Sequence, residues 1–373
     1  MSLLARAFWA AGALIVYTHA GYPVVLRALN RVRDEPAEPS PTPPDPMPAV
    51  SLIVAAHDEE DVIARKVENA LALDYPRDRL QVVVASDGSA DSTAERAREA
   101  GADLVLDLPR GGKIATQNAA VERATGEVLA FSDANAYWRP DALARLVARL
   151  AEAEVGYVCG QVGFVDASGS NEEGAYWRLE MAVRRDESRL AGVTAGNGAI
   201  YAVRRDAYLP LGPSRSHDLS FPFALTKRGW RCVYEEEAIA EEKLVPTLEG
   251  EFVRKRRMMR GLWDIVVRDG MIAPAGYPPL YAFEIFSHRV LRYLSPALHA
   301  IVLAANLGLA GRGRLYRLTL AAQLALGGAA LSTSRLGRIC RYYVYVTASI
   351  SAGLWDRFRQ GPPAAWERSE GTR

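Results

Sequence analysis

Short apolar runs alternate with amphipathic stretches from Val50 to about Ala240. Residues 50–55, 80–86, 103–106, 128–131 and 155–164 are rich in valine, isoleucine and leucine and predict β-strands. Residues 59–71, 92–100, 113–124 and 140–151 space their apolar positions three and four apart and predict helices. The last of these opens on Pro140, a residue tolerated in a first helical turn. Strands that alternate with helices predict an α/β domain with a mostly parallel sheet covered on both faces. In such sheets ligands bind beyond the carboxyl ends of the strands.

The flanks are different. Residues 3–29 predict one helix, apolar over 7–17 and again over 23–29. At ~1.5 Å per residue it is long enough to cross a hydrocarbon core of about 30 Å. A cleaved signal peptide is the competing reading, with Arg6 ahead of a short apolar core and Thr18-His19-Ala20 at the cleavage position. Apolar sequence resumes beyond that position, which favours a retained helix. Arg27, Arg31 and Arg33 follow it against Arg6 alone before it, a bias that puts the next domain on the cytoplasmic side of a cell membrane. Seven prolines between Pro36 and Pro48 predict an extended spacer.

From about Ala282 the chain is apolar again. Residues 294–310, 315–331 and 342–354 are candidate membrane spans, and 283–294, with Ser287, His288, Arg289 and Arg292, reads as an interfacial helix. Core helices of a soluble C-terminal domain are the alternative, and Arg312, Arg314 and Arg317 leave the orientation of the spans open. The expected organisation is an N-terminal membrane helix (1–30), a proline-rich linker (31–49), an α/β domain (50–270), and an interfacial helix followed by membrane helices (271–373).

Net charge is +1, so no global field recruits nucleic acid. Three scattered cysteines give neither zinc spacing nor a disulfide framework, in keeping with a reducing compartment. Candidate chemistry sits instead at strand ends. The first strand runs into Ala55-Ala56-His57-Asp58-Glu59-Glu60, the second into Asp87-Gly88-Ser89, and the fourth into Asp133-Ala134-Asn135. Gly112-Lys113 opens a helix, Gly196-Asn197-Gly198 precedes a strand, and His217-Asp218 precedes Leu219-Ser220-Phe221. A basic run, Arg254-Lys255-Arg256-Arg257-Met258, follows. Each has a plain structural alternative: a helix start for 57–60, an Asp-Gly turn for Asp87, a surface lysine for Lys113, a cap for Asp218 and a solvated or headgroup-binding basic helix for Arg257.

Taken in order, these motifs resemble glycosyltransferase family 2, the group of cellulose, chitin and hyaluronan synthases. The resemblance implies a GT-A-type nucleotide-sugar domain flanked by transmembrane helices. It implies donor contacts, with UDP as the nucleotide, at Ala55, His57, Glu59, Asp87, Lys113, Asp133 and Arg257. Mg²⁺ or Mn²⁺ is implied at Asp133 and Asn135, where hard oxygen ligands suit such cations. Asp218 matches the family's catalytic base, and Gly196, Asn197, Gly198 and Met258 match acceptor-side positions. Asn135, His217, Arg254 and Met258 depart from the usual Asp, acid, Gln and Trp.

The implied reaction is inverting transfer from a nucleotide-sugar to a saccharide or lipid acceptor, with membrane lipid as a further partner. Two other classes compete. A nucleotidyltransferase would carry Gly-x-Gly-x-x-Arg after the first strand, where His57-Asp58-Glu59-Glu60 stands. A non-catalytic membrane scaffold with a degenerate transferase domain would tolerate the departures at Asn135, His217 and Met258.

Overall fold

The computed structural model describes residues 1–33, 42–165, 171–243 and 248–361. Pro36, Pro39 and Pro41 of the expected spacer lie outside the described residues. One eight-stranded sheet organises the molecule: β1 (Val50–Ala56), β2 (Leu80–Asp87), β3 (Leu104–Leu108), β4 (Val128–Asp133), β5 (Tyr137–Trp138), β6 (Val155–Val165), β7 (Ile200–Arg204) and β8 (Arg231–Lys243). Their spatial order is β3-β2-β1-β4-β7-β6-β8-β5. The run β3-β2-β1-β4 is parallel throughout, as is β6 with β8, so four of the seven neighbour pairs are parallel. Strand β7 runs against both its neighbours and joins the two parallel blocks.

The strands form where the apolar runs predict them because both faces are covered. Leu52, Val54 and Ala56 face one core, with Ile63, Val67 and Ala70 of α3 (Ile63–Leu71), Ala97 of α4 (Thr93–Glu99) and Leu143 and Leu146 of α6 (Ala142–Leu150). Ile53 faces the other, with Ala120 of α5 (Lys113–Arg123), Met181 of α7 (Asn171–Leu190) and Phe221 and Leu225 of α8 (His217–Thr226). Each large side chain buried this way contributes about 1.5–3 kcal/mol. Helix α3 starts four residues later than its periodicity predicts. Asp58 takes a left-handed φ of +50°, and the backbone N–H groups of Asp58, Glu59 and Glu60 donate to Ser89, Thr93 and Asp91 instead of entering a helix.

At the amino end, α1 (Leu3–Val16), a wide turn at Tyr17–Gly21 and α2 (Tyr22–Arg33) run on as one helix, Leu3–Arg33. At the other end, α10 (Pro279–Glu284), a second wide turn (Ile285–Val290) and α11 (Leu291–Leu309) merge into Pro279–Arg312. Residues 283–294 therefore open a long helix rather than forming a separate interfacial one, and Ile285, Ser287, His288 and Leu291 are buried in it. These two helices are long and apolar enough to cross a membrane. They pack on each other through Ala5, Phe8 and Ala11 against Leu298, Val302 and Ala305.

Helices α12 (Arg314–Ala329) and α13 (Arg335–Gln360), which cover most of the expected span 315–331 and all of 342–354, are not among the described helices that meet that length and hydropathy. Helix α12 has only 16 residues, and arginines stand towards both ends of α13. Helix α13 lies along α9 (Leu248–Trp263), tied by the Arg256–Asp356 pair at 2.6 Å. A buried polar joint ties both long helices to the α/β domain. Tyr22 donates to Glu187 at 2.7 Å, His288 meets the same carboxylate at 2.6 Å, and Arg292 grips Glu180 through two nitrogens.

Candidate functional site

The carboxyl ends of β1, β2 and β4 lie side by side, with Ala55 in register with both Ala85 and Asp133. Ala55 and Glu59 are buried, and His57 Nε2 lies 3.4 Å from Asp58. Asp58 accepts from the N–H of Ala90 at 2.7 Å, so the loops that follow β1 and β2 are laced into one rim.

Asp87 is fully buried, and its carboxylate accepts the N–H groups of Gly111 (2.6 Å) and Gly112 (3.0 Å). Arg110 Nη1 stands 3.4 Å from the other oxygen. The carboxylate therefore fastens the 110–112 loop to the end of β2. Gly88 permits that closeness: its φ is +60°, and a Cβ there would lie 2.8 Å from the Arg110 backbone nitrogen.

The fastened loop delivers Lys113, the first residue of α5, to Asp133 at the end of β4, where the two form an ion pair. Burial alone would lower the Lys113 pKa. Asp133, reinforced by Asp218 and Glu242, outweighs that and holds it above its ordinary value. Lys113 Nζ also lies 3.9 Å from where a Cβ on Gly198 would stand, so the glycine loop faces the same spot. Asp133, Lys113, Gly198 and Asp218 thus share one neighbourhood.

Asp133-Ala134-Asn135-Ala136 is a turn closed by the Ala136 N–H to the Asp133 carbonyl at 3.2 Å. The turn offers a carboxylate and an amide carbonyl from alternate positions. A donor set of one or two protein oxygens suits Mg²⁺ or Mn²⁺, which take the rest from water and substrate phosphates. No group of three or more His, Cys, Asp or Glu side chains poised for a metal occurs among the described residues. The oxygens present therefore fit a cation that arrives with a diphosphate. Below the turn lies Lys66, fully buried, whose ammonium is pushed down to about 7 by burial against the opposing charges of Asp133 and Glu242. Sequence reading missed it. The available signal was a lysine inside the apolar stripe Ile63-Val67-Ala70.

On the acceptor side, the Gly196 N–H donates to the Asp218 carbonyl at 2.7 Å, and Asn197 Nδ2 reaches the Gly160 carbonyl at 3.5 Å. A Cβ at Gly196 would stand 1.9 Å from the buried hydroxyl of Tyr157, so only glycine fits. Asp218 itself is partly exposed in the first turn of α8. Its predecessor His217 is buried, stacks on Phe221 with ring centroids 4.3 Å apart, and shares a 2.6 Å hydrogen bond with Tyr201. Burial, helped by Lys113, pushes His217 down to about 3, so it is neutral at physiological pH. It serves the aromatic packing behind Asp218 and supplies no second acid.

The basic run lies on α9. Arg256 turns to Asp356, and Arg260 donates to the Gly361 carbonyl (2.7 Å) and to Gln360. Met259 and Leu262 pack with Leu219 and Phe223 of α8, which brings the helix beside Asp218. Arg257 is half-buried on this helix. Met258 is 47% exposed, with its sulfur 3.6 Å from Arg254 Nη1.

Known proteins fit this geometry. Residues 51–211 match the family model described as glycosyl transferase family 2. Beta-monoglucosyldiacylglycerol synthase of Trichormus variabilis is 28% identical over 247 residues, covering 60% of this chain and 53% of that protein. Poly-beta-1,6-N-acetyl-D-glucosamine synthase of Staphylococcus aureus is 23% identical over 237 residues, covering 60% of this chain and 57% of that protein. The matched region thus spans little more than half the length of these curated relatives. Among solved structures, the mannosyltransferase PcManGT from Pyrobaculum calidifontis, in complex with GDP-Man and Mn²⁺, superposes with a TM-score of 0.75 at 25% identity. The match covers 96% of this chain and 99% of that one. The sheet and its rim of loops thus form a GT-A-like α/β fold, whose residues 51–211 match the glycosyl transferase family 2 model.

Proposed function

We propose that this chain is a membrane-tethered, inverting glycosyltransferase that moves a sugar from a nucleoside diphosphate donor to a lipid or saccharide acceptor. One observation carries the reading: Lys113 and Asp133 pair at the carboxyl end of the sheet, within the field of Asp218 and against Gly198.

In the transfer, Asp218 accepts the proton of an acceptor hydroxyl as its oxygen attacks the anomeric carbon. The bond from that carbon to the diphosphate oxygen breaks, and the electron pair leaves with the nucleoside diphosphate. Attack from the face opposite the leaving group inverts the anomeric centre, so an α-linked donor yields a β-linked product. Lys113 meets the negative charge that develops on the diphosphate, from the first turn of a helix whose free N–H groups also favour anions. Asp133 and the Asn135 carbonyl would hold a divalent cation, which when bound supplies further positive charge to the same phosphates. Arg257, on the helix beside Asp218, is a further cation for the leaving group.

The two long apolar helices support a membrane tether, with the α/β domain on the cytoplasmic face where the Arg27, Arg31 and Arg33 bias puts it. An apolar cleft of about 250 Å³, lined by Ile272, Tyr277, Ala282, Ile285 and Phe286, borders the second helix. The test is the purified chain in detergent micelles with Mn²⁺, a panel of UDP- and GDP-sugars, and lipid or saccharide acceptors. Nucleoside diphosphate release that requires one donor and stops with a chelator is the expected result, with the product anomer read by NMR. No release with any donor, or a product that retains the donor's configuration, overturns the reading.

A further inference from the structure

The buried lysine beneath the Asp133 turn has no place in the reaction just described. Lys66 is fully buried, and its Nζ donates to the Ala136 carbonyl at 2.6 Å and lies 3.4 Å from Asn69 Oδ1. Asn69, one helical turn further along α3, holds both backbone groups of Trp138. Its Nδ2 donates to the Trp138 carbonyl (2.8 Å) and its Oδ1 accepts the Trp138 N–H (2.9 Å). The Lys66 ammonium also stands 5.4 Å from the centre of the Trp138 ring. Ser132 Oγ adds a bond to the Asp133 carbonyl at 3.1 Å.

Two side chains from one helix thus grip the exit of the turn at three backbone atoms, while the Ala136 N–H closes the turn on Asp133. A buried ammonium is costly to desolvate, and an apolar side chain of similar volume usually fills such a site at no loss of stability. Simple packing of α3 on the sheet would therefore be served better by methionine or leucine. A lysine differs by fixing the direction of the Ala136 carbonyl through a hydrogen bond that an apolar side chain cannot make.

We propose that Lys66 and Asn69 are positioning residues that hold the Asp133–Asn135 turn in the shape that receives a divalent cation and the donor diphosphate. The inference rests on the glycosyltransferase reading above. It assigns these two side chains no contact with substrate.

The test compares wild type with Lys66→Met in the full chain. Three quantities are measured: Mn²⁺ binding by electron paramagnetic resonance in the presence of UDP or GDP, whichever wild type binds; donor KM and kcat separately; and thermal unfolding. The expected result is a Tm that holds or rises, with Mn²⁺ affinity and donor KM each worsened tenfold or more and kcat at saturation changed less. Lys66→Gln, which keeps an N–H donor, is expected to recover part of the loss. Unchanged Mn²⁺ and donor affinity in Lys66→Met overturns the proposal, as does a loss wholly accounted for by unfolding. Should Lys66→Met not fold, Asn69→Leu carries the test, since it cuts both bonds to Trp138 and leaves the ammonium in place. Unchanged affinities there equally overturn the clamp. A wild-type chain that binds neither UDP nor GDP with Mn²⁺ sinks the glycosyltransferase reading itself, a result distinct from either variant outcome.

Discussion

Two cationic regions of this molecule, Lys113 and the α9 run 254–260, use their charge in opposite ways. Lys113 is a single lysine, yet a loop fastened by Asp87 aims it at Asp133 across the end of the sheet. Helix α9 carries five basic residues between Arg254 and Arg260, and two of them, Arg256 and Arg260, turn to α13. Density of charge along the sequence is therefore a poor guide to which cations serve a phosphate. What decides is the partner that the fold sets opposite each one.

The sharpest way to break this contrast is at the proton acceptor that Lys113 feels. Asp218→Asn keeps shape and hydrogen bonding but cannot take a proton. A loss of about 10²–10⁴ in kcat with donor KM nearly unchanged is expected. Steady-state kinetics on the active donor check it, and near wild-type kcat would remove Asp218 as base. Next in size is the glycine floor. Gly196→Ala drives a methyl into the Tyr157 hydroxyl and should destabilise the domain by about 3 kcal/mol in denaturant unfolding. Adding Tyr157→Phe should return part of that, because the hydroxyl is the first atom struck.

The wall behind Asp218 gives a pH signature. The folded His217 value, about 3, lies below the usual histidine range, so between about pH 6.5 and 3 the unfolded chain binds a proton that the native chain refuses. This contribution to stability is present above pH 6.5 and is lost as the pH falls. It should amount to about 2 kcal/mol by pH 5, measured against pH 7.5. His217→Phe should flatten that part of the acid limb in unfolding experiments. An unchanged limb would show that His217 titrates in the native state.

The smallest expected effect separates arginines within α9. Arg257→Ala should lower kcat about tenfold, or about 1.4 kcal/mol, if that side chain meets the leaving diphosphate. Arg256→Ala, which loses only the pair with Asp356, should lower the unfolding midpoint and leave kcat within threefold. Equal effects on kcat would mean that α9 acts through its seat on α13 rather than through one guanidinium.

Much of the fold was legible in the residues. The strands β1, β2, β4 and β6 start where their apolar runs start, because buried strands need continuous hydrophobic sequence whatever they pair with. Less legible was the antiparallel β7, since a five-residue apolar run carries no information about direction. The start of α3 was missed because hydrogen bonds from a neighbouring loop outcompeted helical ones at Asp58–Glu60. The expected interfacial segment 283–294 lost its independence to tertiary packing, which continued the helix through it and buried His288 against Glu187.

By itself the amino-acid sequence determined the strands β1 to β4 and β6 with the helices that alternate with them, the two apolar helices and the placing of carboxylates at strand ends. All three follow from local periodicity and from the geometry of strands and turns. Tertiary structure alone decided that Asp87 holds a loop, that His217 stays neutral, that Lys66 is buried beneath the Asp133 turn and that Arg256 faces away from the site. The physical reason is that a charged side chain's behaviour depends on the partner and the dielectric around it, and distant segments of chain supply both.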